Sequence, residues 1–206
     1  MVTGLTLLHT SPVHVPVFDA LRDRDHPGAV LRHLVAPELL DRARAAGPEA
    51  VAPALRALLA GSGGPVLVTC STLGAVAESL AGELGVPVMR VDRPMAAAAV
   101  GMGSRIVVLA ALESTLAPTV ALLAEEAGGR AVGVTARVVA GAWDRFEAGD
   151  GPGYLALVAA AADAVSAADA DVIVLAQASM AGAAALTTTR VPILSSPPLG
   201  LTAALG

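Results

Sequence analysis

Apolar runs bounded by turn formers alternate with stretches of helical periodicity along the chain. In the first half, residues 3–9 and 30–35 read as strands, separated by a helix over 15–24 and the turn Asp25-His26-Pro27-Gly28. Pro37 and Pro48 each stand in the first turn of a predicted helix, the second running to Leu59. After the Gly/Ser segment 61–64 comes Pro65-Val66-Leu67-Val68-Thr69-Cys70-Ser71-Thr72-Leu73-Gly74. Its branched apolar run stops at a thiol, two hydroxyls follow, and a helix is predicted to about Leu84. A strand over 86–91 and a helix over 96–100 close this half.

The pattern then restarts. Strands are predicted over 106–111, 131–138, 171–176 and 191–194. Between them lie a helix over 116–127 with Pro118 in its first turn, a loop with a little helix over 141–153, an alanine-rich helix over 154–168 and a helix from Gln177 to about Thr188. A short helix over 198–205 ends the chain. The halves match in order: Leu5 with Ile106, the 66–73 stretch with 173–180, and Val86-Pro87-Val88 with Val191-Pro192-Ile193. Strands alternating with helices imply parallel sheets covered on both faces. The fold expected is therefore α/β, with two pseudo-symmetric Rossmann-like lobes at 1–100 and 101–206 facing each other across a cleft. Ligands of such sheets sit at the carboxyl ends of strands, which would set Cys70 opposite Gln177.

Free amides at a helix start attract negative charge, so a small carboxylate suits the 70–72 turn. The same field favours thiolate over thiol at Cys70. The bland alternative is weighty, because lone cysteines are often inert packing.

Composition narrows the chemistry. Hydrophobic residues make up 55% of the 206 and aromatics only 2%, so helices are expected to pack closely on alanine. Thirteen basic against 18 acidic residues, with no basic cluster, argue against nucleic-acid binding. All the basic residues are arginines, which excludes a lysine Schiff base with pyridoxal phosphate and a P-loop lysine. Gly101-Met102-Gly103 lies before its strand, the wrong side for a dinucleotide fingerprint. The single cysteine excludes an internal disulfide and a multi-cysteine zinc site. The charge-free stretch 57–77 is broken by Gly61-Ser62-Gly63-Gly64-Pro65, so no membrane span is expected. The first residues lack a basic n-region, so a signal peptide is not expected and a cytoplasmic protein is. Apolar alanine-rich helices are compatible with a homodimer.

Thr69-Cys70-Ser71-Thr72 and 172–180 (Val-Ile-Val-Leu-Ala-Gln-Ala-Ser-Met), supported by Val91-Asp92-Arg93-Pro94-Met95 and by 112–119, resemble the aspartate/glutamate/hydantoin racemase superfamily across essentially the whole chain. The resemblance implies a cofactor-independent, metal-free enzyme acting on a small carboxylate or amino-acid-like substrate. Members typically use two cysteines, one per lobe, on opposite faces of a carbon next to a carboxylate. Here the second-lobe position holds Gln177, the only glutamine in the chain, and an amide cannot transfer that proton. Symmetrical two-thiol racemisation is therefore not expected. Relatives that decarboxylate arylmalonates also keep one cysteine, from the other lobe. The readings left open are single-thiol proton transfer (racemase, isomerase or decarboxylase), covalent addition by Cys70 during isomerisation of an unsaturated diacid, and a non-catalytic carboxylate-binding protein.

The resemblance makes Cys70 the catalytic candidate and Gln177 an orienting group, and His9, as an imidazole at a strand end, is a candidate second base. The carboxylate-binding set it implies is Thr10, Ser11, Ser71, Thr72, Thr115, Ala178 and Ser179. Each has an ordinary counterpart: the hydroxyls as caps or turn formers, Gln177 as filler, His9 as a structural strand-end histidine. His14, His26 and His33 have weaker claims, Glu113 defaults to an exposed loop, and Asp92 is expected to cap the helix near Pro94. Trp143, Arg145, Phe146 and Tyr154 are expected to cover the second lobe.

Overall fold

Four short apolar segments build a parallel sheet in the first unit: β1 (Leu5–His9), β2 (Leu31–Val35), β3 (Val66–Val68) and β4 (Val88–Arg90), in the order β2-β1-β3-β4. The second unit repeats that order with β5 (Arg105–Ala110), β6 (Gly133–Val138), β7 (Val172–Leu175) and β8 (Ile193–Ser195), arranged β6-β5-β7-β8. The computed structural model describes residues 4–206, so Thr3, expected to open the first strand, lies outside the described residues. The matching stretches found in sequence are thus equivalent strands: first, third and fourth of each sheet.

In the first unit the helices are α1 (His14–Asp25), α2 (Pro37–Ala46), α3 (Ala52–Leu59), α4 (Ser71–Ser79) and α5 (Ala81–Leu84). A 3-10 turn over Pro48–Val51 leads into α3. The single helix expected to about Leu84 is divided at Leu80. There Leu80 N–H donates to the Ala77 carbonyl at 3.1 Å, and the Ser79 hydroxyl donates to the Val76 carbonyl at 2.7 Å. A hydroxyl bonding back to its own helix competes with the ladder, and one turn tightens.

The second unit holds α6 (Arg93–Met102), α7 (Glu113–Ala127), α8 (Ala142–Glu147) and α9 (Gly151–Asp163). α9 starts earlier than the alanine pattern suggests because Asp150 caps it, its carboxylate accepting from the Gly153 amide at 2.9 Å. The helix expected after Gln177 is instead a 3-10 helix over Ala178–Ala185. Among the described residues no helix is long and apolar enough to cross a membrane.

The units divide as the chain up to Asp92 with Pro197–Gly206, and Arg93–Ser196. The closing helix α10 (Ser196–Leu205) therefore packs on the first sheet, with Leu201 in the core beside Leu5, Leu7, Phe18, Leu67 and Val91. Gly200 permits this: a Cβ there would lie 2.5 Å from the Val91 carbonyl oxygen.

Period-two alternation sorts the first sheet's side chains. Leu8, Val66 and Val68 face the cluster built by Ala36, Leu39, Val51, Leu55 and Leu73, whereas Leu5, Leu7 and Leu67 face Phe18 and Leu21 of α1. β5 and β7 are buried almost throughout, as inner parallel strands should be, while β6 at the sheet edge exposes Thr135, Ala136, Arg137 and Val138. The second core gathers Val107, Leu109, Ile173 and Leu175 with Tyr154, Val158 and Ala162 of α9.

Candidate functional site

Cys70 stands where β3 gives way to α4. Its backbone is extended (φ −112°, ψ 115°), it occupies the N-cap position, and its carbonyl accepts from Leu73 N–H at 3.1 Å. Alternation carries its side chain to the same face as Leu8 and Val68, where it joins an apolar cluster and keeps 8% of its surface exposed. Ser71 is buried and Thr72 half-buried in the first turn of α4. The register pairs Leu8 with Val68, so the residues that follow β1 and β3 emerge side by side. Thr10 is buried there and Ser11 half-buried.

α4 is held from behind. Gly74 passes so close to Arg90 that a Cβ would lie 2.7 Å from Arg90 Cβ. Arg90 is itself buried and donates through Nε and Nη2 to both Asp92 carboxylate oxygens, at 2.6 and 2.8 Å. Its amide also donates to Glu78 of α4 at 3.0 Å. Asp92 stands just before α6 with its carboxylate in a buried bidentate ion pair.

His9 ends β1 with no exposed surface. Its Nδ1 lies 2.8 Å from Thr69 Oγ1 and its Nε2 lies 2.8 Å from His33 Nδ1. Burial, then the positive charges that His14 and His33 would carry, pushes its pKa down to about 3, so it is neutral at ordinary pH. His14 is held down at about 4 by burial. Sequence reasoning gave His33 a weak claim and missed that it touches His9. Alternation was the available signal: Leu5-Leu7-His9, Leu31-His33-Val35 and Leu67-Thr69 share one sheet face.

In the second unit, Gln177 follows β7 with an extended backbone (φ −120°, ψ 139°). Its Oε1 accepts from the Ala111 amide at 2.6 Å and the Leu112 amide at 3.3 Å, at the start of α7. Thr115 is buried in the first turn of α7, and Ala178 is buried beside Gln177. Ser179 Oγ lies 2.8 Å from the Tyr154 hydroxyl, whose pKa burial pushes up to about 12. Glu113 is exposed at the first position of α7. Trp143 and Phe146 stack at 5.0 Å and pack on the second core, with Phe146 5.3 Å from Tyr154. Within each unit, then, the structure brings the expected residues to neighbouring strand ends: Cys70, Ser71, Thr72, Thr10 and Ser11 in one, and Gln177, Ala178, Ser179 and Thr115 in the other. Among the described residues, no group of three or more His, Cys, Asp or Glu is arranged to hold a metal ion.

A family model described as Asp/Glu/Hydantoin racemase matches residues 15–204. No curated protein sequence matches the chain. Among solved structures, Picrophilus torridus aspartate racemase shares the fold at TM-score 0.71 with 12% identity, over 98% of this chain and 93% of that one. A glutamate racemase isoform from Bacillus anthracis does so at TM-score 0.70 and 16% identity, over 98% and 79%. Unliganded arylmalonate decarboxylase aligns at TM-score 0.57 and 17% identity, over 98% and 92%. At such identities these likenesses speak to the fold.

Proposed function

Because the chain belongs to the Asp/Glu/Hydantoin racemase family, we propose that it is a cofactor-independent enzyme that moves a proton at a carbon next to a carboxylate, with Cys70 as its single thiol acid/base. The observation that carries this reading is the place of the sulfur. The chain's one cysteine is the N-cap of α4 at the carboxyl end of an inner parallel strand, where open α/β sheets bind ligands. Amides of the first turn of α4, with Ser71 and Thr72, suit the carboxylate of a small amino-acid-like substrate. The Cys70 thiolate takes the proton from the adjacent carbon, and the C–H electron pair passes into the carboxylate as an enediolate. The same donors stabilise the added charge. The thiol then returns a proton to the carbon.

Gln177 carries no titratable proton and its Oε1 is engaged by two backbone amides, so on this reading the proton chemistry rests on the one thiol. One-sided proton delivery also suits decarboxylation. Carbon dioxide leaves a malonate-type diacid, the electron pair of the broken C–C bond becomes the enediolate, the Cys70 thiol protonates it, and a proton from solvent restores the thiol. The single cysteine favours keeping this second reading.

The test is incubation in heavy water with amino acids, hydantoins and small diacids, followed by mass spectrometry. Native protein is expected to place deuterium next to the carboxylate, with carbon dioxide release if a malonate is the substrate, and Cys70→Ala to do neither. A persistent substrate adduct on Cys70 would reassign the sulfur as a covalent nucleophile. Ligand binding without exchange or release across the panel would make the chain a binding protein, and native rates in Cys70→Ala would end the assignment.

A further inference from the structure

The face between β1, β2 and α1 buries a chain of polar groups that the chemistry above does not use. It runs from Asp19 Oδ1 to His33 Nε2 (3.4 Å), from His33 Nδ1 to His9 Nε2 (2.8 Å), and from His9 Nδ1 to Thr69 Oγ1 (2.8 Å). Thr69 Oγ1 also lies 3.1 Å from the Leu8 carbonyl, within donating distance. The outer end meets solvent, Asp19 keeping 37% and His33 15% of their side-chain surface exposed, while His9 is sealed.

Donor and acceptor counting allows two complete arrangements of these groups. With His33 neutral, Thr69 O–H donates to His9 Nδ1, His9 Nε2–H donates to His33 Nδ1, and His33 Nε2–H donates to Asp19. With one more proton, taken from solvent and resident on His33, every inner bond reverses. His33 Nε2–H still donates to Asp19, but His33 Nδ1–H now donates to His9 Nε2, His9 Nδ1–H to Thr69 Oγ1, and Thr69 O–H to the Leu8 carbonyl. His9 is neutral in both arrangements, in keeping with its burial and its pKa of about 3. We propose that His9 and His33 form a two-state hydrogen-bond chain in the first unit whose direction is set by a single proton on His33 and whose output is the Thr69 hydroxyl.

The output matters because Thr69 immediately precedes Cys70 and its amide already donates to the Leu8 carbonyl at 2.9 Å. In the protonated arrangement that carbonyl receives a second bond from the same residue, tying β3 to β1 one peptide before the sulfur. In the neutral arrangement the hydroxyl turns to His9 and the second tie is released. The groups facing the pair are His14 and Asp19 of α1, with Arg22 bonded to Asp19 at 2.9 Å, and Thr69 after β3. The buried, unpartnered Nδ1 of His14 lies in a ring whose centroid is 6.0 Å from that of His9.

Nitrogen-15 spectra of the histidine rings in the full chain, recorded from pH 5 to 9, test it. His9 is expected as the Nδ1–H tautomer on the acid side and the Nε2–H tautomer on the alkaline side, exchanging in a single transition. Asp19→Asn, which removes the carboxylate that accepts from His33 Nε2–H in both arrangements, is expected to lower the switching pH. His33→Gln, whose amide does not titrate, is expected to make the His9 tautomer independent of pH. A single His9 tautomer throughout in the wild type, a cationic His9 in that range, or a switch that survives His33→Gln would each overturn the proposal. The wild-type titration decides alone should the variant fail to fold.

Discussion

The two units build the same sheet and finish its inner strands differently. In the first, the first strand reaches toward the third: the side chain of His9, at the end of β1, engages Thr69. In the second, the third strand reaches back to the first: Gln177, after β7, offers its amide oxygen to the Ala111 and Leu112 amides after β5. The helix that follows differs too. α4 is an α-helix braced through Gly74 against the buried Arg90–Asp92 pair, whereas 178–185 is a 3-10 helix. The register sets Arg90 beside Val68 and, equivalently, Ser195 beside Leu175. A duplicated frame therefore leaves one strand end tied by histidine and threonine, with a thiol beside it, and spends the equivalent position of the other on holding its own loop.

That asymmetry breaks most sharply at the sulfur. Cys70→Ala is expected to lower isotope exchange or decarboxylation by roughly 10³-fold, within the range of losses when an acid/base group is removed, while Gln177→Ala costs less than tenfold. Equal losses at both positions would erase the functional difference between the units. Asp92→Ala removes the carboxylate from a buried bidentate ion pair, and about 3–5 kcal/mol of stability should disappear in urea titration.

Mild acid, between about pH 7 and 5, should weaken the first unit selectively, because the buried His9 and His14 lie in it. His9 and His14 stay neutral when folded, with pKa values of about 3 and 4 against 6.5 unfolded, so the unfolded chain binds more protons below that point. Their stability contribution is complete above about pH 6.5 and falls as pH drops toward the folded values. Each loses about 2 kcal/mol between pH 7 and 5. Hydrogen exchange showing the second unit loosening first on acidification would contradict this. Gly74→Ala must displace Arg90 and should cost about 1–3 kcal/mol. Removing the Gln177 side chain should cost about 1–2 kcal/mol, seen as faster amide exchange at Ala111 and Leu112.

Much of this was legible in order and periodicity. Branched apolar runs at 66–68 and 172–175 announced inner parallel strands, and the matched halves announced the repeated sheet. The placement of Cys70 at a strand end followed from the turn chemistry around it. Other features were hidden. The 178–185 stretch is rich in alanine, an excellent helix former, and the sequence pattern predicts a helix there, yet the segment, with Gly182 inside it, takes the tighter 3-10 form. Asp92 read as a cap because it precedes a helix, and only burial of Arg90 two residues earlier revealed the ion pair. The return of α10 to the first sheet turns on Gly200 meeting a carbonyl more than a hundred positions away in sequence.

By itself the sequence determined the periods, the duplication, the single thiol and the absence of lysine, because these are properties of residue order and side-chain chemistry. Only the tertiary structure decided which polar groups meet: His9 with His33 and Thr69, Arg90 with Asp92, and Gln177 with two amides. Alternation assigns each side chain to a sheet face. Which neighbours share that face depends on strand order and register, which pairing between distant segments sets.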